Sequence, residues 1–432
     1  MPLLYTYYGD DFTGSTDVLE QLAIHGIAAA LFLAPPTLDE LQRFPSIQAL
    51  GVAGDSRSRS PEWMSTHLPP IFGSLANLRA PILHYKVCST FDSSPTHGSI
   101  GRAIELGIEA TNSPFVPIVV GAPHLRRFVH DGLLFASAPD GHIHRIDRHP
   151  MSKHPVTPMR EPDLRNHLAR QTSMPIGLVS HTDLHSFASA SAALQARLSS
   201  GHRAIFFDTV DAQSLSIIGE LLWSRKGNHR LFCAGSSGLT TALISAWCNS
   251  GLLARQRLAI RLPAASPLLV VSGSCSVATS RQIHWAADNG FQIIRVDTGK
   301  LLDHHAAEAY RASLIHQVAG YLAQRKDTVL YTALDDSPSS PAGDTLGSAL
   351  GVLVRKLLLH TPAPRVIFCG GDTSSHAIQQ LGISALTWAA SVQPGAPACR
   401  AHFANTNAQP LELVLKGGQV GTDDFFRAAR GG

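Results

Sequence analysis

Short apolar runs alternate with helix-length amphipathic stretches along almost the whole chain, and this alternation limits the fold more than any other feature. Residues 3–8 form an apolar run that ends at Gly9-Asp10-Asp11. A helix-period stretch from Ser15 to His25 follows, with Val18, Leu19, Leu22 and Ala23 on one face. The rhythm continues with strands predicted at 28–33, 49–53, 82–87 and 118–120 and helices at 61–78 and 100–110. Residues 140–162, rich in His, Pro and Arg, read as an ordered excursion. Alternation resumes with strands at 176–179, 204–207 and 231–233 and helices near 212–223 and 239–247. A basic, Pro-containing stretch at 255–267 then interrupts the pattern. Beyond it come strands at 268–271, 292–296, 329–332, 366–369 and 411–415, with helices at 278–289, 306–324, 345–359, 374–381 and 423–429. Such alternation is the mark of parallel α/β sheets. The expected fold is α/β: two α/β domains, 1–256 and 257–432, with largely parallel sheets and an active-site cleft between them.

Composition excludes several other classes. The 432 residues are 44% apolar and only 16% charged, which is not the balance of a disordered chain. Thirty-five Lys and Arg against 32 Asp and Glu give +3, too little for a nucleic-acid binder that works by neutralising phosphates. No window approaches the roughly 18 consecutive apolar residues of a membrane span. The start, Met1-Pro2-Leu3-Leu4-Tyr5, lacks the basic region of a signal peptide. Six scattered cysteines with no C-x-x-C pair point to free thiols in a reducing cytoplasm, and exclude disulfide scaffolds and zinc ribbons.

Ligands of open α/β sheets bind beyond the carboxyl ends of the strands, so the loops there carry the candidates. The first strand delivers Asp10 and Asp11, then Thr13-Gly14-Ser15-Thr16 opening a helix. Two adjacent acids suit a general base, polyol recognition or a metal, and Thr13, Ser15 or Thr16 is placed to cap the helix. The third strand ends at Gly54-Asp55-Ser56-Arg57, whose guanidinium fork suits a carboxylate or phosphate. The fourth ends at Lys86-Val87-Cys88-Ser89-Thr90. A lysine within an apolar strand is costly unless paired, and the hydroxyls after it suit a polyol. Three glycine-bearing loops end strands of the second half: Gly273-Ser274-Cys275-Ser276, Gly370-Gly371-Asp372-Thr373-Ser374 and Lys416-Gly417-Gly418-Gln419-Val420-Gly421. Backbone N–H groups in such loops cradle phosphates. There is no P-loop, dinucleotide fingerprint, H-E-x-x-H or protein-kinase motif. His142/His144 and His304/His305 are weak candidates for a metal.

Together these motifs resemble the four-carbon acid sugar kinase family, the ATP-dependent kinases of threonate, erythronate and 3-oxo-tetronate. The D-D-F-T-G opening matches Asp10 to Gly14, the serine–arginine step Ser56-Arg57, the G-S-x-S loop Gly273 to Ser276, and the G-G-D-T-S loop Gly370 to Ser374. The final K-x-G-N-x-G loop matches Lys416 to Gly421, with Gln419 in place of Asn. The resemblance implies a sugar-acid-binding first domain, with Asp10, Asp11, Arg57, Lys86, Cys88, Ser89 and Thr90 lining the substrate site. It implies a nucleotide-binding second domain, with Ser274, Gly370, Gly371, Asp372, Thr373 and Gly418 lining the ATP site. Where the family reads K-x-D-S-T-x-R-G, this chain has Lys86-Val87-Cys88-Ser89-Thr90-Phe91-Asp92: the acid has become Cys88 and the arginine is missing. That departure resembles the branch acting on branched acids such as 3-oxo-isoapionate.

The resulting expectation is transfer of the ATP γ-phosphoryl group to a terminal hydroxyl of a small sugar acid, with Mg²⁺ on the phosphates. Arg57 or Lys86 would hold the substrate carboxylate and Asp10 or Asp11 would take or orient the hydroxyl proton; the sequence does not choose between them. The expected partners are the sugar acid and ATP, with no nucleic acid and no membrane; the metal ligands and assembly into a homo-oligomer are left open. Two rivals are a Gly-Asp-Ser hydrolase with Ser56 as nucleophile and a catalytically inactive sugar-acid sensor.

Overall fold

The computed structural model describes residues 3–138, 141–153, 157–226, 230–334, 343–404 and 409–431, without the side chains of 343, 344 and 372. The chain divides into two compact units, one of residues 1–30 and 34–258, the other of 31–33 and 259–432.

The first unit contains β1 (Tyr5–Gly9), the first two residues of β2 (Ala29–Phe32), β3 (Ala49–Ala53), β4 (Ile82–Lys86), β5 (Val116–Val119), β6 (Arg127–His130), β7 (Leu133–Ser137), β8 (Ile143–Arg145), β9 (Ile176–Val179), β10 (Ala204–Phe207) and β11 (Leu231–Gly235). Its main sheet runs β2-β3-β1-β4-β11-β5-β10-β9 and is parallel from β3 to β9. Strands β1, β3, β4 and β11 are buried at every position, which explains their largely apolar runs. Register sets their ends level: Gly9 lies opposite Ala53 and Lys86, Lys86 opposite Gly235, and Gly235 opposite Val119.

In the second unit, β12 (Leu268–Ser272), β13 (Gln292–Arg295), β14 (Thr328–Tyr331), β15 (Arg365–Cys369), β16 (Ile383–Gln393), β17 (Ala396–Phe403) and β18 (Glu412–Lys416) are ordered β13-β14-β12-β15-β18-β17-β16. The sheet is parallel from β13 to β18 and antiparallel from β18 through β17 to β16. Ser272 pairs with Cys369 and Cys369 with Lys416, so the three glycine-bearing loops leave adjacent parallel strands at one edge.

The elements differ from the sequence reading at several points. The first helix is Phe12–Ile24, starting three residues before the expected Ser15. Its cap is Asp11, whose carboxylate accepts the Gly14 N–H, rather than Thr13, Ser15 or Thr16. The antiparallel β6-β7-β8 sheet and the β16–β17 hairpin were not anticipated. Nor were helices Leu164–Ala169 and Phe187–Ser199, the latter an Ala/Ser-rich helix that buries only Ala190 and Leu194 and so has little apolar period to read. Among the described residues, no helix is long and apolar enough to cross a membrane.

Candidate active site

In the first unit the level strand ends bring Asp10, Asp11, Arg57 and Lys86 together. Asp10 and Asp11 follow β1 and are almost completely buried. Arg57, in the turn after β3, grips Asp10 with both edges of its fork: Nε donates to Oδ2 at 3.2 Å and Nη2 to Oδ1 at 2.7 Å. Its Nη1 donates to Asp11 Oδ2 at 3.0 Å. Asp11 also accepts from Thr13 Oγ1 at 2.6 Å and from Gly14 N at 2.9 Å. The two adjacent acids therefore differ in role. Asp11 is a helix cap with its oxygens committed to the chain. Asp10 is held by Arg57 alone among the described side chains, and burial pushes its carboxyl up to about 6 against the opposing pull of that arginine.

Lys86 closes β4 with its ammonium buried, donating one hydrogen bond, 2.8 Å to the Val87 carbonyl. Cys88 and Ser89 are half-buried and Thr90 is buried. Thr90 Oγ1 lies 2.9 Å from the Cys88 sulfur and 2.6 Å from Asp92 Oδ1, so Asp92 brings a carboxylate to the wall beside Cys88. Burial raises the Cys88 thiol above its ordinary pKa, with Asp92 adding to the rise and Arg57 and Lys86 opposing it.

Two more loops end at the same edge and were not singled out from sequence. After β11, Ser236 caps helix Ser237–Asn249 through the Gly238 N–H. After β5, the chain passes His124 and reaches Arg127, and Ser237 Oγ lies 3.4 Å from His124 Nε2. A signal was available: Gly235-Ser236-Ser237-Gly238 between an apolar run and a helix has the same form as the loops of the second half.

The second unit gathers Ser274, Gly370, Thr373 and Gly418. A Cβ on Gly273 would meet Thr373 Oγ1 at 2.1 Å, so the first two loops are in contact through bare backbone. Gly370 has φ +108°, a conformation open to glycine, and stands at the N-cap of helix Gly371–Gln379 with no side-chain cap. That leaves the first N–H groups of the helix available to an anion. The third loop is tied in by carbonyls: Gly418 O accepts from Ser276 Oγ and, at 2.8 Å, from Thr279 Oγ1. The buried Lys416 ammonium faces the carbonyls of Gly417, Gly418 and Val420 and the Thr279 hydroxyl, all within 3.3 Å. Lys416 therefore shapes the loop from beneath. The Asp372 side chain lies outside the described residues. A glycine cradle with an uncapped helix end fits a nucleotide's phosphates.

The first half matches the model of a sugar-binding N-terminal domain over residues 5–243, and the second half a nucleotide-binding C-terminal domain over 269–426. The chain is 42% identical to the 3-oxo-isoapionate kinase of Paraburkholderia graminis, over 100% of this chain and 94% of that protein. The chain belongs to the four-carbon acid sugar kinase family. By that membership it is an ATP-dependent kinase of sugar acids. A 3-oxo-tetronate kinase of Cupriavidus necator is 30% identical over 97% of this chain and 95% of its own length. The fold is shared with a crystallised Salmonella typhimurium protein, at TM-score 0.78, 24% identity and 98% coverage of both chains. It is also shared with one from Haemophilus influenzae, at TM-score 0.70, 23% identity and coverage of 98% and 99%.

A kinase of this family has no use for the hydrolase reading of Gly54-Asp55-Ser56, and the geometry opposes it. Ser56 is fully buried and its hydroxyl is bonded to Tyr85 Oη at 3.0 Å. Among the described residues, no three His, Cys, Asp or Glu side chains are grouped to hold a metal ion, the His142/His144 and His304/His305 pairs included.

Proposed function

We propose that this kinase transfers the γ-phosphoryl group of ATP to a terminal hydroxyl of a branched or oxo sugar acid of the 3-oxo-isoapionate kind. The observation that carries the substrate class is the 42% identity, along the entire chain, to a 3-oxo-isoapionate kinase. The Cys88 wall and its Asp92 neighbour agree with a pocket built for a particular acid. The second reading is a 3-oxo-tetronate, threonate or erythronate 4-kinase, favoured by the 30% identity to a 3-oxo-tetronate kinase.

Phosphoryl transfer asks the protein chiefly for positioning and charge stabilisation. Asp10 is the residue to orient the acceptor hydroxyl and receive its proton. Its carboxyl, at about 6, is ionised at neutral pH yet more basic than an exposed aspartate. Arg57 keeps that carboxylate in place, with three of its donors committed to Asp10 and Asp11. This leaves Lys86, rather than Arg57, to meet the substrate carboxylate. Cys88, Ser89 and Thr90 form the wall beside it. In the second unit, Ser274, Gly370, Gly371, Asp372, Thr373 and Gly418 would receive the nucleotide through backbone N–H groups and short hydroxyls. Bound with ATP beside these loops, Mg²⁺ would supply neutralisation of the phosphate charge. Six cysteines without a disulfide suit a cytoplasmic setting.

The test is ADP release by the purified protein with 3-oxo-isoapionate, 3-oxo-tetronate, threonate and erythronate. The expected result is the highest kcat/KM on 3-oxo-isoapionate. A higher value on a tetronate selects the second reading, and no ADP above the ATP-only baseline with any acid overturns both.

A further inference from the structure

Along the strand edge of the first unit, some cations are largely satisfied and others keep open donors. Of Arg57's five donors, three are bound to Asp10 and Asp11. The Lys86 ammonium uses one of three. Arg127 opens β6, immediately after the loop that leaves β5, and is anchored by the Ala122 backbone through N–H···O bonds of 2.9 and 3.2 Å in the two directions. Its side chain makes one hydrogen bond, Nη1 to the Ser137 carbonyl at 2.7 Å, which leaves four donors. It is half-buried, and among the described residues no carboxylate forms an ion pair with it.

The acids nearby do not fill the gap. Asp10 and Asp11 belong to Arg57, and Asp92 accepts from Thr90. A partly desolvated guanidinium without an acid calls for an anion. The register places it: β4, β11 and β5 are neighbours with Lys86 opposite Gly235 and Gly235 opposite Val119, and Arg127 is held by Ala122 just beyond the end of β5, at the same edge as Lys86.

We propose that Arg127, together with Lys86, binds the carboxylate of the sugar acid. This rests on the sugar-acid kinase reading above and adds a recognition residue to it. Arg127 supplies from a separate strand the guanidinium that the loop after β4 lacks. A carboxylate lying between a fork and a point charge would be fixed in orientation, leaving its hydroxyl end to Asp10.

The experiment compares the wild type with Arg127→Ala and Arg127→Lys, on the acid that gives the highest wild-type kcat/KM in the screen above and on erythrulose, a neutral four-carbon ketose without the carboxylate. Substrate binding without ATP is measured by calorimetry, and thermal melting serves as the folding control. For Arg127→Ala, kcat/KM on the acid should fall roughly 10- to 150-fold, mostly through KM, as expected when a charged hydrogen-bond partner is lost. The KM for ATP and the activity on the neutral ketose should change by less than about threefold, since neither engages the lost charge. Arg127→Lys should recover part of the loss, because it restores the charge without the fork. Equal losses on acid and ketose would make Arg127 merely structural, and unchanged binding of the acid would remove it from the site; either overturns the proposal. A wild type that neither binds nor phosphorylates any acid overturns the sugar-acid reading itself, and does so before any variant is compared.

Discussion

Replacing Asp10 by Asn tests the electrostatics of the site directly. The Asp10 carboxyl is buried, and desolvation carries its pKa from 3.8 to about 6 despite the Arg57 ion pair. That rise corresponds to about 3 kcal/mol of unfavourable free energy once the group is ionised. Its pH dependence has a definite sign. Between 3.8 and about 6 the folded chain holds a proton that the unfolded chain has released, so this group's contribution to stability falls as pH rises through that window. Above it the full cost is present. About 2 of the 3 kcal/mol should accrue between roughly pH 4.5 and pH 7.5. Equilibrium urea unfolding of wild type and Asp10→Asn at those two pH values should therefore show the variant gaining about 2 kcal/mol relative to wild type on going to the higher pH. The same substitution should abolish most turnover, and the wild-type kcat should decline below about pH 6 as Asp10 takes up a proton. Parallel stability curves for the two proteins, or a wild-type rate flat from pH 5 to pH 8, would refute the assignment of a raised, catalytically engaged carboxyl to residue 10.

Two further outcomes concern the second unit. Gly273→Ala would drive a methyl group to 2.1 Å from Thr373 Oγ1 and force the first two loops apart. Overpacking of this kind costs about 1–3 kcal/mol, so KM for ATP should rise roughly 5- to 100-fold in steady-state kinetics while KM for the sugar acid stays put; an unchanged ATP KM would sever this contact from nucleotide binding. Lys416→Met would leave the carbonyls of Gly417, Gly418 and Val420 without their shared donor. It should cost about 2 kcal/mol in urea unfolding and weaken ATP binding with it. Full stability in that variant would mean the lysine does not hold the loop.

The strand-end loops could be read in sequence because each joins two strong local signals, an unbroken apolar run and an abrupt polar or glycine-rich break. Asp10, Arg57, Lys86, Gly273 and Gly370 stand out on that basis. The β16–β17 hairpin is harder to see. Its strands alternate irregularly between buried and half-buried positions across bulges, and only the Pro394-Gly395 turn marks it. The Ser236–Ser237 turn and Arg127 do not stand out in the sequence for a different reason: a serine pair or an arginine carries no local sign of whether a partner awaits it.

Local chemistry decided from sequence alone that this chain builds parallel α/β sheets, which loops leave their strand ends, and to which family it is similar, because apolar period and loop composition are properties of neighbouring residues. Only the tertiary structure decided how the charges are shared. Adjacent parallel β1 and β3, in register at Gly9 and Ala53, set Arg57 against Asp10, turn Asp11 into a cap, and leave Lys86 and Arg127 with donors to spare. Pairing of that kind depends on distances across tens of residues of chain, and those exist only once the sheet has formed.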